Sequence, residues 1–161
     1  MWLLLACRCG DAPERAPGHY MGAILARDAV IRADLDALHA AARELEDPGM
    51  KDTAVEDLHG ALGMAVAAED LEEGGWAVAG IVEACGDCHA GKVGPVSATA
   101  GPHGHDRLWA DLVSGREIDA SGFKEVAPTE ATALALASTQ AERASAYGDL
   151  LVRCSGCHPG G

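Results

Sequence analysis

Aromatic side chains are scarce in this 161-residue chain, which holds three Trp, two Tyr and one Phe. A core built on aromatics is therefore excluded, and most of the apolar content is Ala with scattered Leu, Val and Ile. Each Ala buries little area, and apolar burial is worth only about 25 cal/mol per Å². Ala-rich helices pack closely on their own, but a large flat apolar group among them would supply the missing contact. Basic residues are also few: 12 Lys and Arg stand against 25 Asp and Glu, for a net charge of −13. Nucleic-acid binding rests on Lys and Arg neutralising phosphates, so no nucleic acid is expected as partner. A basic protein partner suits such a field, because opposite charges speed encounter, although the same charge also serves solubility. Long apolar runs are missing as well: no stretch approaches the ~20 residues needed to span a bilayer.

The length fits one domain. Of six cysteines, four fall in two CxxCH units, Cys85-Gly-Asp-Cys88-His89 and Cys154-Ser-Gly-Cys157-His158. The other two, Cys7 and Cys9, lie in the opening segment. There Leu4-Leu5-Ala6-Cys7 resembles a bacterial lipobox, which would make Cys7 a lipid anchor on an exported protein. The apolar stretch before it is shorter than a signal peptide's, and the basic n-region is missing. Either the true start lies upstream or the resemblance is accidental. Residues 1–18, with Pro13, Pro17 and Gly18, read as a leader and flexible segment.

The remainder, 19–161, reads as all-α: a four-helix bundle made of two helical hairpins, 19–90 and 103–158, joined by a linker at 91–102. Met21, Ile24, Ile31, Leu35, Leu38, Ala42 and Leu45 mark one face of a helix from His19 to Leu45, interrupted by Asp28. Asp28 sits in a polar gap or pairs with Arg107 or Arg153. Asp47-Pro48-Gly49 stops the helix. Thr53 and Glu56 form a capping box for a second helix reaching His89, with a kink or short break at Gly74-Gly75. A third helix runs from near His103 to Val113, with a further helical piece reaching Phe123, and the last runs from Pro128 to His158. Two matched patterns relate the halves. Val78, Ile81, Val82, Cys85, Cys88 and His89 correspond to Tyr147, Leu150, Leu151, Cys154, Cys157 and His158 at a constant offset of 69. The stretch His19–Ala26 corresponds to His103–Ala110.

C-x-x-C-H is the attachment signature of a c-type haem, in which each thiol adds to one vinyl group and the adjacent His meets the iron. On a helix the three residues fall at i, i+3 and i+4, on one face. Cys85, Cys88 and His89 would hold one haem, and Cys154, Cys157 and His158 a second, with His89 and His158 as proximal ligands. Zinc would need four converging ligands and gives no reason for a His after each pair. A thioredoxin-like dithiol expects a βαβ context that this helical chain does not offer.

In an antiparallel hairpin the start of the first helix lies beside the end of the second. Residues 19–25 would then cover the first haem and residues 103–109 the second. For the first, His19 is the favoured distal ligand and Met21 the alternative; for the second, His105 is favoured and His103 the alternative. His39 and His59 fall mid-bundle and read as solvent-facing or hydrogen-bonded. Lys92, Arg107 and Arg153 lie near the motif ends, as surface charges or partners for haem propionates.

A helical bundle with Cys154-Ser-Gly-Cys157-His158 closing its last helix resembles the class II cytochromes c, the cytochrome c′ and cytochrome c-556 group. The resemblance implies a distal residue near the start of the first helix, here His19 or Met21. The chain differs from that group in carrying a second unit on its second helix. The expectation is a periplasmic dihaem carrier of single electrons between redox proteins, not an enzyme. The alternative is a gas-binding protein with a five-coordinate haem.

Overall fold

The computed structural model of the protein describes residues 16–45, 56–90 and 105–158. Seven α-helices occur among them: α1 (Ala16–Ile31), α2 (Leu35–Leu45), α3 (Glu56–Ala67), α4 (Leu71–His89), α5 (His105–Val113), α6 (Pro128–Leu136) and α7 (Gln140–Ser155). A single 3-10 turn, Ser121–Phe123, lies between α5 and α6, and no strand occurs among the described residues. The all-α class expected from the sequence is observed. The three long helices expected, from His19, Thr53 and Pro128, are each interrupted.

The first expected helix starts earlier and ends earlier than its apolar stripe. It begins at Ala16, because Pro17 fits the first turn, where its missing N–H has no helical partner to lose. It stops at Ile31, where Ala33 takes a left-handed φ of 56°. Ala33 N–H then donates to Val30 O (3.0 Å) and Asp34 N–H to Ala29 O (2.9 Å), the bonding pattern of a Schellman stop. Asp34 next accepts from Ala37 N–H at 2.9 Å and so opens α2. The chain folds back here, and a Cβ at Gly22 in α1 would meet Leu45 in α2.

The second expected helix breaks at residues 68–70, not at Gly74-Gly75. Asp70 caps α4 by accepting from Glu73 N–H (2.9 Å), while the Glu73 carboxylate accepts from Glu69 N–H (2.7 Å). His39 donates from Nε2 to Ala68 O (3.0 Å), pairing a carbonyl beyond the end of α3. The last expected helix breaks in the same way. Thr139 accepts from Glu142 N–H (3.1 Å), and Glu142 accepts from the backbone of Ser138 and Thr139. The two caps stand 69 residues apart, the offset that relates the CxxCH units. The duplication therefore spans α4 and α7 from cap to motif.

Gly74 and Gly75 stay helical and serve packing. A Cβ on Gly74 would lie 2.9 Å from Leu38. On Gly148 of α7 it would lie 2.8 Å from the Gly75 carbonyl oxygen and 3.0 Å from Ala79. α4 and α7 thus cross backbone to backbone. Farther along, Gln140 at the start of α7 donates to Val82 O of α4 (3.1 Å) and Leu112 O of α5 (2.9 Å). The pair is antiparallel, and the two motifs lie at opposite ends of it. α3 packs antiparallel on α4, with Ala61 against Gly80.

Two predictions follow from the breaks. Ala33→Gly removes the side-chain cost of the left-handed position, about 1–2 kcal/mol per residue, partly offset by glycine's greater unfolded-state freedom. Chemical denaturation should show a gain of roughly 0.5–1 kcal/mol, and a loss would contradict the Schellman geometry. The second concerns Glu142, whose bonds from Ser138 N–H, Ser138 Oγ–H and Thr139 N–H hold its carboxyl down from 4.5 to about 2. A depressed carboxylate stabilises the fold above its unfolded pKa and loses that contribution as pH falls through the folded value. Glu142→Ala should melt below wild type at neutral pH, with the gap closing between about pH 4.5 and about pH 2. A gap independent of pH would show that ionised Glu142 contributes nothing.

Candidate functional site

The second CxxCH unit is assembled at the end of α7. Leu150 and Leu151 anchor the helix in the core, fully buried, and carry Cys154 inward to 9% exposure. α7 ends at Ser155, short of the expected His158. The turn still continues, because Cys157 N–H (2.9 Å) and His158 N–H (3.2 Å) both donate to Cys154 O. Cys157 and His158 stand exposed beyond the last helical residue.

Facing Cys154 is His105, the first residue of α5 and 8% exposed, whose Nε2 lies 3.5 Å from Cys154 Sγ. Phe123 meets the His105 ring edge-on, with centroids 4.8 Å apart and planes at 67°. Between these groups is a cavity of about 70 Å³, lined by His105, Phe123, Val126, Arg153, Cys154, Cys157 and His158. Val126 on its rim is 45% exposed, an apolar surface with no cover. The cavity joins both thiols and the imidazole of the motif to a second imidazole and two apolar side chains. It is small and opens outward. The residues present fit a thioether-linked haem.

The first unit closes α4. Ile81 and Val82 are fully buried, and Cys85 is 6% exposed. His89 is half-buried at the last helical position, and its Nδ1 is buried without a hydrogen bond. Burial lowers the His89 pKa, opposed by the backbone carbonyl of Val113. The side chain of Cys88 lies outside the described ones, as does that of His19, whose backbone belongs to α1. Cys7, Lys92 and His103 lie outside the described residues altogether. Met21 is 51% exposed. The expectation that residues 19–25 cover the first unit assumed one continuous helix to Leu45; that helix doubles back at Ala33, so its length no longer sets that placement.

α5 connects the two units. Its first residue, His105, meets Cys154, and the carbonyl of its last, Val113, faces His89. Between them Trp109 is fully buried, 6.0 Å from the Tyr147 ring, with the Arg27 guanidinium 5.5 Å above it. Asp28 pairs with Arg27 at 2.6 Å, not with Arg107 or Arg153, because Arg27 is the neighbour that turns inward. Arg27, Trp109 and Phe123 were not singled out in the sequence. The available signal was Asp28, which interrupts the apolar stripe, with Arg27 beside it. His39 is hydrogen-bonded, as one reading of it expected.

Among the described residues no group of three or more His, Cys, Asp and Glu side chains converges as a metal site would, and no helix is long and apolar enough to cross a membrane. A porphyrin asks less of the protein than a bare metal ion does: two thiols and one or two axial bases. No family model, no curated protein and no solved structure matches the chain.

The thiols differ in reactivity. Burial pushes Cys85 up to about 12 and Cys154 up to about 11, the latter aided by Cys157 and Glu130, whereas Cys157 is exposed. The thiolate is the nucleophile, so exposure and pKa act together. In haem-free protein near pH 8, peptide mass spectrometry should find Cys157 alkylated first, Cys154 later and Cys85 last. Equal rates at Cys85 and Cys157 would contradict the burial of the first unit.

Proposed function

We propose that the protein is a dihaem c-type cytochrome that carries single electrons between redox proteins. The observation that supports it best is the cavity in which Cys154, Cys157 and His158 share walls with His105, the histidine favoured from the sequence for that haem. The second support is the duplication, which repeats cap, apolar face and CxxCH at one offset. When bound, haem supplies the Fe(III)/Fe(II) couple.

In this reading Cys85, Cys88, Cys154 and Cys157 carry the thioether links, and His89 and His158 are the proximal bases. His105 would be the second base at that site, with His103 as the alternative. His19 or Met21 serves the first. Phe123 and Val126 would shield one haem edge from water, and exposed Arg153, which also lines the cavity, would meet a propionate. The two-hairpin plan enters the proposal in altered form: α3/α4 and α6/α7 are the hairpins that end in a motif. The antiparallel Gly75/Gly148 crossing leaves Cys85 ten residues to one side and Cys154 six to the other, so about 16 helical residues, roughly 24 Å along the axis, separate the two. With a base from the protein on each side, the geometry would change little on redox change, which suits electron transfer. Export to the periplasm, an anchor at Cys7, basic redox partners and kinship with class II cytochromes belong to the same proposal.

The test is maturation in a host that attaches haem to CxxCH. Intact mass should rise by two haems, and Cys154→Ala with Cys157→Ala should remove one. Low-spin ferric signals from both haems support electron transfer. The gas-binding alternative applies at the first unit, whose distal ligand stays open between His19 and Met21. A high-spin signal there that shifts with carbon monoxide would favour it. An unmodified mass, or zinc in place of haem, overturns both readings.

A further inference from the structure

We infer that Arg27 of α1 is a positioning residue for His105, holding that imidazole toward the second haem site. The inference rests on the proposed function and deepens it.

His105 is the first residue of α5 and so occupies the part of a helix most prone to fray. Two neighbours on the same short helix are gripped by one side chain. Arg27 Nη2 lies 2.7 Å from the Asp106 carboxylate, and its guanidinium sits over the ring of Trp109. Asp106 follows His105 directly, and Trp109 lies one turn on, on the same face as His105. Arg27 therefore fixes the first turn of α5 at two points, while Phe123 limits rotation of the imidazole itself.

The grip is anchored. Arg27 is 4% exposed, and Asp28 takes its Nε (2.7 Å) and Nη2 (2.6 Å). Burial works against the guanidinium's charge, but Tyr147, Asp28 and Asp106 outweigh it and raise its pKa. A planar fork that bonds two carboxylates while stacking on an indole is what Arg provides and Lys does not. Asp28 and Asp106 are each about one-third exposed, so water can take them over if Arg27 is replaced, and the fold should survive.

The experiment uses the dihaem protein and reads spin state by EPR, with far-UV circular dichroism to verify folding. His105→Ala should convert one of the two haems to high spin. Arg27→Met should move the same haem toward high spin while leaving the other unchanged, and added imidazole should restore the low-spin signal. Arg27→Lys should restore it in part. Asp106→Asn, which leaves Arg27 its bond to Asp28, should shift the signal in the same direction by less, and it decides the matter if Arg27→Met does not fold. Unchanged low-spin signals in the Arg27 and Asp106 variants, alongside an altered His105→Ala, overturn the positioning role alone. A lack of haem at Cys154 and Cys157, or a His105→Ala protein with both haems unaltered, overturns the site assignment and this inference together.

Discussion

The contact between Gly75 and Gly148 sets the rest of the arrangement. At that point two helix backbones touch, with no room for a Cβ on either side. Close approach fixes the register of α4 against α7 as firmly as bulky interdigitation would, and small Ala side chains around it suffice for close packing. The register puts the two CxxCH units at opposite ends. It also brings Gln140 to the carbonyls of Val82 and Leu112, so that the crossing which aligns α4 and α7 also docks the far end of α5. Once α5 is held there, its first residue falls at Cys154 and its last at His89.

A core of this kind has little bulk to spare. Its few aromatic rings are concentrated along one line: Phe123 on His105, then Trp109 on Tyr147, with Arg27 over the indole. A buried cation usually costs more in lost hydration than its pairing returns. Arg27 offsets part of that cost through two partly hydrated carboxylate partners and an aromatic face, while its Nη1 stays buried without a hydrogen bond.

The helical class and both motifs were legible in the sequence, and His105 was one of the two histidines it offered for the second motif. They are legible because periodicity and fixed spacing are local properties. The helix breaks were less visible for a specific reason at each place. At Ala33 the left-handed stop carries Ala where Gly would have announced it. At Asp70 and Thr139 the caps were readable as D-x-x-E and T-x-x-E, but the apolar stripe continues through both and masked them. Gly74-Gly75 looked like a break because glycine weakens an isolated helix; tertiary contact with Leu38 and Gly148 reverses that meaning. No local pattern could reveal that Arg27, rather than Asp28, turns inward, since that depends on where α5 lies.

Charge is distributed unevenly between the two units. Residues 56–90 carry eight Asp and Glu and no Lys or Arg, so the hairpin that holds the first CxxCH is acidic throughout. Residues 105–158 carry eight Asp and Glu against five Lys and Arg, and one of those cations, Arg153, lines the cavity of the second. Negative surroundings favour the more positive, oxidised state of a nearby redox group, and nearby cations favour the reduced one. Under the proposed function the field alone would make the second unit the better electron acceptor. The same asymmetry gives a basic partner its steepest attraction at the first hairpin, so an electron entering there would move down the gradient along α5. An axial Met at the first haem would work against that gradient, because Met raises the potential relative to His. The choice between His19 and Met21 therefore bears on the direction of flow, and the acidic hairpin and the first distal ligand act in the same direction only if that ligand is His19.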